Sequence, residues 1–150
     1  MPLTVRDPDF EARVRASFAK QQFMTTLGAR LAVVTPGEVT IALPYRADLT
    51  QQHGFLHAGV VTSVVDSACG YAALTLMEPG AAVLSVEFKV NLLAPAAGKE
   101  FLAIGRVMRA GRTITVCSGE LRALDDGREA VVAILQGTMM SVRDKAGLTD

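Results

Sequence analysis

The segment from 58 to 77 constrains the fold more than any other part of this chain. Wound as a helix, it is apolar on nearly all sides, and a helix of that kind must be buried. Its β-branched valines lower the helix propensity, but its length and small residues favour a helix over a strand. The apolar positions are Val60, Val61, Val64, Val65, Ala68, Tyr71, Ala72 and Leu74. The rest of the chain must therefore supply a layer that covers this helix.

After Pro79-Gly80 the hydrophobic period changes from that of a helix to that of a strand. Apolar and polar residues alternate from Leu84 to Leu92, which predicts a long strand with one apolar and one polar face. Three more strands are predicted at about 100–109, 112–123 and 129–142, joined by turns at 110–111 and 125–127. The pattern predicts an antiparallel meander of four long strands.

The N-terminal part adds a helix and a hairpin. Asp7-Pro8 opens a short amphipathic helix with Phe10, Val14 and Phe18 on one face, which ends before Gly28. Residues 29–43 are predicted to form a hairpin, and residues 45–56 a polar connection. The sequence therefore predicts an α+β domain over 1–150, with a curved antiparallel sheet wrapped around one long buried helix. Its core spans about 29–142, and residues 1–28 form a helical extension.

Composition excludes several classes of function. Fifteen basic and fifteen acidic residues give zero net charge, so no field gathers nucleic acid or an anionic membrane. The N-terminus is charged and no apolar run is long enough to span a bilayer, so we expect a cytoplasmic protein. Cys69 and Cys117 are isolated and predicted to be buried free thiols. No metal-ligand spacing or phosphate loop is present, so neither a metal nor a cofactor is expected.

Asp66 is the most unusual residue of the buried helix. It ends the apolar run HAGVVTSVVD, in which no basic residue lies between His57 and Asp66. A carboxylate in such a place needs a partner or a chemical function. Asp66 is either a structural group that accepts hydrogen bonds from Thr62 or Ser63, or a reactive group.

Three motifs resemble a known family. The run LHAG at 56–59 has an aspartate seven residues after its glycine, and SVEFKVNLLAPA and GRT follow further on. Together they resemble the hotdog-fold acyl-CoA thioesterases of the PaaI-like, phenylacetate-pathway branch. The likeness covers about 29–142. It implies a hotdog fold and hydrolysis of an acyl-CoA thioester with a medium-chain, long-chain or aromatic acyl group.

The resemblance also implies roles for individual residues. Asp66 is the general base or nucleophile, and the Ala58 N–H is the oxyanion donor. His57 positions the carbonyl or shapes the site, unless it only caps the turn before the helix. Ser85 holds the water beside Asp66, unless it belongs to a solvated strand face. Gln51 stands where the family often has asparagine and would orient the thioester or the water, with Gln52 as a competitor.

Within one chain, one thioester cannot contact both the Ala58 N–H and the Asp66 carboxylate. Ala58 and Asp66 are eight residues apart, which is about 12 Å along a helix. If the helices of two subunits run antiparallel, the helix start of one faces Asp66 of the other. Free N–H groups near Ala58 and Gly59 would then receive the carbonyl oxygen. The sequence predicts a homodimer with composite sites, whose open sheet edges pair, and two such dimers could form a homotetramer.

Further residues are candidates for binding the phosphates of coenzyme A and the acyl group. Arg106, Arg109 and Arg112 surround a hairpin turn, and arginine forks bind phosphate well, so Arg109 and Arg112 are candidates for the phosphates of coenzyme A. A solvated hairpin tip is the alternative. Tyr71 could stack on an aromatic acyl group or belong to the core. A non-catalytic module that binds acyl-CoA or an acyl carrier is the alternative function, and a dehydratase of the same fold is a weaker one.

Overall fold

The chain forms one antiparallel sheet that wraps around one long helix. The computed structural model describes residues 2–150, and none of the helices in that part is long and apolar enough to cross a membrane. The helices are α1 (Phe10–Lys20), α2 (Gln22–Leu27) and α3 (Ala58–Leu74), with a 3-10 turn at Ala47–Leu49. The strands are β1 (Arg30–Thr35), β2 (Glu38–Pro44), β3 (Ala82–Leu92), β4 (Glu100–Ala110), β5 (Ile114–Asp125) and β6 (Arg128–Val142).

The predicted four-strand meander is wrong in one respect. The strand order across the sheet is β1-β2-β4-β5-β6-β3, so only β4, β5 and β6 form a meander. β3 pairs with β6 rather than with β4, and the segment 93–99 carries the chain back across the sheet. Hydrophobic alternation identifies a strand but carries no information on its neighbour, because the pairing depends on distant residues. The prediction of a curved antiparallel sheet around one buried helix is confirmed.

α3 lies directly against the concave face of the sheet. Its core-facing side chains pack on buried residues of β4, β5 and β6 such as Phe101, Leu121 and Met139. At Gly105 the two layers touch at backbone level, since a Cβ there would lie 2.3 Å from the Ala68 carbonyl carbon. Only glycine allows the helix to approach β4 this closely.

The N-terminal helix is interrupted, which the sequence pattern did not indicate. α1 ends at Lys20, Gln21 takes an extended conformation with ψ 94°, and α2 begins at Gln22. The predicted end before Gly28 is correct, since this residue caps α2 with φ 73°. α3 ends at Leu74 rather than at the predicted position 77.

β3 is an edge strand whose alternation is broken by a bulge between Ser85 and Glu87. Before the bulge, Ser85 pairs with buried Met139 on the face that carries α3, and after it Phe88 pairs with Gly137 on that same face. A strict alternation would place Ser85 and Phe88 on opposite faces. The prediction of one polar and one apolar face is therefore wrong here. The bulge directs one polar side chain of β3 toward the helix.

Candidate active site

His57 sets the conformation at the start of α3. Its backbone is extended, and its Nδ1 accepts a hydrogen bond from the Gly59 N–H at 2.8 Å, so it is the N-cap of the helix. An accepting Nδ1 places the ring proton of neutral histidine on Nε2. A Cβ on Gly59 would lie 3.0 Å from Nδ1, so glycine allows the ring to fold over the first turn.

The first turn of α3 leaves one donor available. The N–H groups of Val60 and Val61 both bond to the His57 carbonyl, and the Gly59 N–H bonds to the His57 ring. The Ala58 N–H has no acceptor within residues 2–150. Because the N-terminus of a helix carries partial positive charge, this N–H is suited to a developing oxyanion.

An apolar cavity of about 500 Å³ adjoins this donor. Ala58 and Gln51 line it together with Leu92, Leu93 and residues of the loop that follows β3. The Gln51 Oε1 accepts the N–H of His53, which leaves its amide N–H groups available to the cavity. Gln52 is exposed and does not line it. The structure thus places Gln51 rather than Gln52 beside Ala58.

Asp66 lies in the middle of α3 and is hydrogen-bonded from the sheet rather than from its own helix. Ser85 Oγ donates to Asp66 Oδ1 at 2.8 Å. The hydroxyls of Thr62 and Ser63 bond instead to the carbonyls of Ala58 and Gly59, so the structural alternative for Asp66 does not hold in that form. Burial raises the pKa of the Asp66 carboxyl, and the Ser85 hydrogen bond opposes part of this shift. A half-buried carboxylate with a raised pKa and a free Oδ2 is suited to proton abstraction.

Asp66 faces its own small cavity of about 110 Å³. The other lining residues are Gln21, Ser67, Gly70, Tyr71, Val83, Ser85 and Asp150. Gln21 and Asp150 come from the two ends of the chain, and sequence reasoning missed both. No local pattern could have identified them, because each reaches the site through a long-range contact. Gln21 accepts from Ser67, and the Asp150 carboxylate accepts from Ser17 and from the Val83 N–H.

Tyr71 is packed inside the protein. It is 5% exposed, its ring lies 5.7 Å from that of Phe18, and its hydroxyl is 3.3 Å from Ser17 Oγ. Tyr71 is therefore already packed against an aromatic residue of α1, and it also lines the Asp66 cavity.

The arginines of the β4–β5 hairpin do not act as one cluster. Arg106 is held by Glu38 at 2.7 Å and Glu120 at 3.2 Å. Arg112 is exposed in the turn, and Arg109 lies against the N-terminal segment near Leu76, at the C-terminal end of α3. Within one chain, neither Arg109 nor Arg112 lines the cavity at Ala58 or the cavity at Asp66.

The cysteines take no part in the site. Both are buried free thiols, as predicted, and burial raises the pKa of Cys117 to about 12 and also raises that of Cys69. No group of His, Cys, Asp and Glu within residues 2–150 has the arrangement of a metal site.

The comparisons with known proteins identify the family of this chain. Residues 53–130, which include α3 and Ser85, match the model of the Thioesterase superfamily. The chain belongs to this superfamily. The residues matched begin just before the N-cap of α3 and contain Ala58 and Asp66.

Individual relatives extend the match over the whole fold. A thioesterase family protein from Silicibacter pomeroyi is 51% identical, with TM-score 0.88 over 89% of this chain and 98% of the other. Human acyl-coenzyme A thioesterase 13 is 27% identical over 72% of this chain and 78% of its own length. The PaaI protein from the phenylacetic acid degradation operon of E. coli is 20% identical, covers 97% of this chain and 99% of its own, and shares the fold with TM-score 0.81.

The predicted hotdog thioesterase is thus confirmed in family and in fold. The chain is an enzyme of the thioester hydrolase class.

Proposed function

We propose that this protein hydrolyses acyl-CoA thioesters in composite sites of a homodimer. The observation that carries the proposal is the placement of the two reactive features of α3 in separate cavities. Ala58 lines the apolar cavity, and Asp66 lines the polar one. Since one thioester cannot reach both within one chain, the donor of one protomer must act with the carboxylate of its partner.

The exposed edge of β3 supports the assembly. Phe88, Leu92 and Leu93 are 43%, 53% and 55% exposed, and β3 has a neighbour on one side only. A second copy that pairs along this edge about a two-fold axis would run its β3, and therefore its α3, antiparallel to the first. It would cover the apolar side chains and bring its helix start toward Asp66. Two such dimers could form a tetramer.

The chemistry follows from these groups. The Ala58 N–H and the positive end of α3 hold the thioester carbonyl, and the Gln51 amide orients it. Asp66 of the partner either removes a proton from water or attacks the carbonyl to form an anhydride. Ser85 fixes the carboxylate through Oδ1, and His57 fixes the first turn that presents the Ala58 donor. The oxyanion then collapses and the CoA thiolate leaves. On the second path, water hydrolyses the anhydride, which releases the acid and regenerates the Asp66 carboxylate.

The ligand is proposed from the apolar lining of the cavity and from the exposed arginines. The apolar cavity suits a medium-chain, long-chain or aromatic acyl group, with Gly59 leaving the helix start open and Tyr71 forming part of the wall beyond Asp66. Arg109 and Arg112 are exposed arginines that could hold CoA phosphates supplied across the dimer. Arg109→Ala is then expected to raise KM for acyl-CoA without lowering kcat.

The first test is free-thiol release from acyl-CoAs of increasing chain length and from phenylacetyl-CoA. Asp66→Asn is expected to lower kcat by at least about 100-fold, because general base or nucleophilic catalysis is lost. Asp126→Asn is the matched control, since Asp126 lies in an exposed turn with φ 45° that suits asparagine. Full activity of Asp66→Asn on every acyl-CoA that the parent hydrolyses would disprove the mechanism. Tight binding of acyl-CoA without turnover by the parent would favour the non-catalytic module.

The second test addresses the composite site. Ala58→Pro removes only the proposed oxyanion donor, because proline is well tolerated at the first helical position and His57 already has φ −61° and ψ 139°. Ala58→Pro alone and Asp66→Asn alone are each expected to be inactive. After subunit exchange between Ala58→Pro and Asp66→Asn, half of the dimers contain one intact composite site, so about a quarter of the parent activity should return. No recovery in verified heterodimers would place both groups in one chain's site.

A further inference from the structure

Within one protomer, no packing contact requires glycine at position 70. It lies in the interior of α3, where only proline is less favourable than glycine. Gly105 is required by a close backbone contact, but within one protomer a Cβ on Gly70 would meet no heavy atom within 4 Å outside the backbone of its own helix and its two chain neighbours. Gly70 lines the Asp66 cavity, so its missing side chain leaves room in that cavity. Residues that break a local rule without a structural reason are often retained for function.

Gln21 is placed at the same cavity by the break between α1 and α2. Glutamine is a good helix former, so its own propensity does not account for the extended backbone there. The Gln21 N–H bonds to the Phe18 carbonyl, and its side chain crosses to α3, where Oε1 accepts from Ser67 Oγ at 3.3 Å. The amide N–H groups of Gln21 are thereby left for the cavity that Asp66 also lines.

The cavity has the size and polarity of a water site. Its volume of about 110 Å³ is well above the roughly 10–15 Å³ that one water molecule requires. The hydroxyls of Ser67, Tyr71 and Ser85, the Gln21 amide and the Asp66 carboxylate offer more polar partners than a buried water needs.

We infer that this cavity delivers the hydrolytic water to Asp66 and that Gln21 is a positioning residue for it. The inference rests on the proposed function and selects water attack over an anhydride. Asp66 Oδ2 takes one proton from the water, whose oxygen forms the bond to the thioester carbon. The carbon–sulfur bond breaks as the oxyanion collapses, and the CoA thiolate takes up the proton. Gln21 donates to the second lone pair of the water and fixes its direction.

The central comparison uses two neighbouring glutamines. Gln21→Met keeps the length of the side chain but removes its hydrogen bonds, and Gln22→Met is the matched control on the exposed side of the junction. Gln21→Met is expected to lower kcat about tenfold with KM changed less than about twofold, whereas Gln22→Met should match the parent. Equal kcat for the parent and Gln21→Met would overturn the role of Gln21.

Gly70→Ala tests the cavity without removing any polar group. The methyl group fills space that water would occupy and replaces glycine inside a helix, so kcat should fall while Tm rises. A purely structural role of Gly70 would not separate stability from activity in this way. If Gly70→Ala instead changes the preferred acyl length and leaves kcat on short acyl groups intact, the cavity holds the end of the acyl chain and the inference is wrong.

A single turnover in ¹⁸O-labelled water, with enzyme in excess over acyl-CoA, tests the reaction path. Direct water attack places the label in the released acid and leaves the peptide that contains Asp66 unlabelled. Label in Asp66 would show an anhydride and overturn the inference. The proposed function fails separately, through a parent that hydrolyses no acyl-CoA or a fully active Asp66→Asn.

Discussion

The two ends of α3 meet the same physical requirement in different ways. Each end of a helix leaves backbone groups without a partner in the helix. At the C-terminal end, the Arg13 guanidinium donates to the carbonyls of Leu74, Met77 and Glu78 at 2.6 to 2.9 Å. At the N-terminal end, the Ala58 N–H has no acceptor within residues 2–150 and adjoins an apolar cavity.

The C-terminal end of α3 therefore has a structural role, whereas its N-terminal end is open for a reaction. Arg13 is 10% exposed and lies 3.3 Å from buried Asp7, so the C-terminal end is closed by a buried ion pair from the N-terminal extension. The helix start is left open toward a space that fits a ligand. Asp66, in the middle of α3, resembles the helix start in this respect, because its raised pKa means that the protein stabilises the carboxylate less than water does.

The largest effect is expected at the closed end. Arg13→Met leaves Asp7 buried without its partner and the Met77 carbonyl without a donor, so the free energy of unfolding should fall by roughly 3–5 kcal/mol. The kcat of the remaining folded protein should be unchanged. Urea unfolding and active-site titration measure the two quantities.

The control for this variant lies on the same helix. Arg15→Met removes an exposed pair with Glu11 at i, i+4 and should lower the free energy of unfolding by less than about 1 kcal/mol. If both variants unfold at the same urea concentration, Arg13 does not stabilise the end of α3 and the contrast between the two ends is lost.

Substitutions at the start of α3 should change the free energy of unfolding less than Arg13→Met does, and they should change kcat more. His57→Ala removes the acceptor for the Gly59 N–H and should lower the free energy of unfolding by about 1 kcal/mol. His57→Asn keeps an N-cap acceptor and should unfold within a few tenths of a kcal/mol of the parent. We expect kcat to fall in His57→Ala, because the first turn that presents the Ala58 donor is no longer fixed.

His53 provides the comparison for these variants. It is exposed in the loop before α3, and His53→Ala should change neither stability nor kcat. If His57→Asn loses as much stability as His57→Ala, the ring of His57 does not stabilise the fold through the cap hydrogen bond.

Much of the architecture could be predicted because it depends on local patterns. The apolar circumference of 58–77 identified α3, and alternation and turn residues identified the strands. The position of β3 beside β6 could not be predicted, because it depends on pairing across about fifty residues. The bulge after Ser85 could not be predicted either. Apolar and polar residues alternate through this segment without interruption, although the side chains do not alternate between the two faces of the sheet there.

The candidate site divides in the same way. His57, Ala58 and Asp66 stand in one continuous motif, and the family resemblance together with the charge of Asp66 in an apolar run singled them out. Gln21 and Asp150 reach Asp66 from distant parts of the chain, and neither has a local signal. Gly70 looked like an ordinary small residue of the helix, and only the space around it shows that alanine would fit.

The pH dependence of activity sharpens the account of Asp66. The hydrogen bond from Ser85 favours the carboxylate and so lowers the pKa that burial raises. In Ser85→Ala only the effect of burial remains, so the pKa of Asp66 rises further. The acid limb of kcat/KM should move to higher pH, with a loss of a few fold at pH 8 and a larger loss at low pH. An unchanged limb would mean that another group controls it.

The smallest effect is expected in the stability of Asp66→Asn, and its sign is opposite to that of Arg13→Met. Burial raises the pKa of Asp66 in the folded state, so the folded protein binds this proton more tightly than the unfolded chain does. Stability from this group is present below the unfolded pKa of about 4 and is lost as the pH rises through the folded pKa. The amide of the Asp66→Asn variant carries no charge at any pH. This variant should therefore raise Tm by a few degrees at pH 7 and leave it unchanged near pH 3. A lower Tm at pH 7 would show that the carboxylate stabilises the fold, and Asp66 would then resemble Arg13 rather than the reactive end of α3.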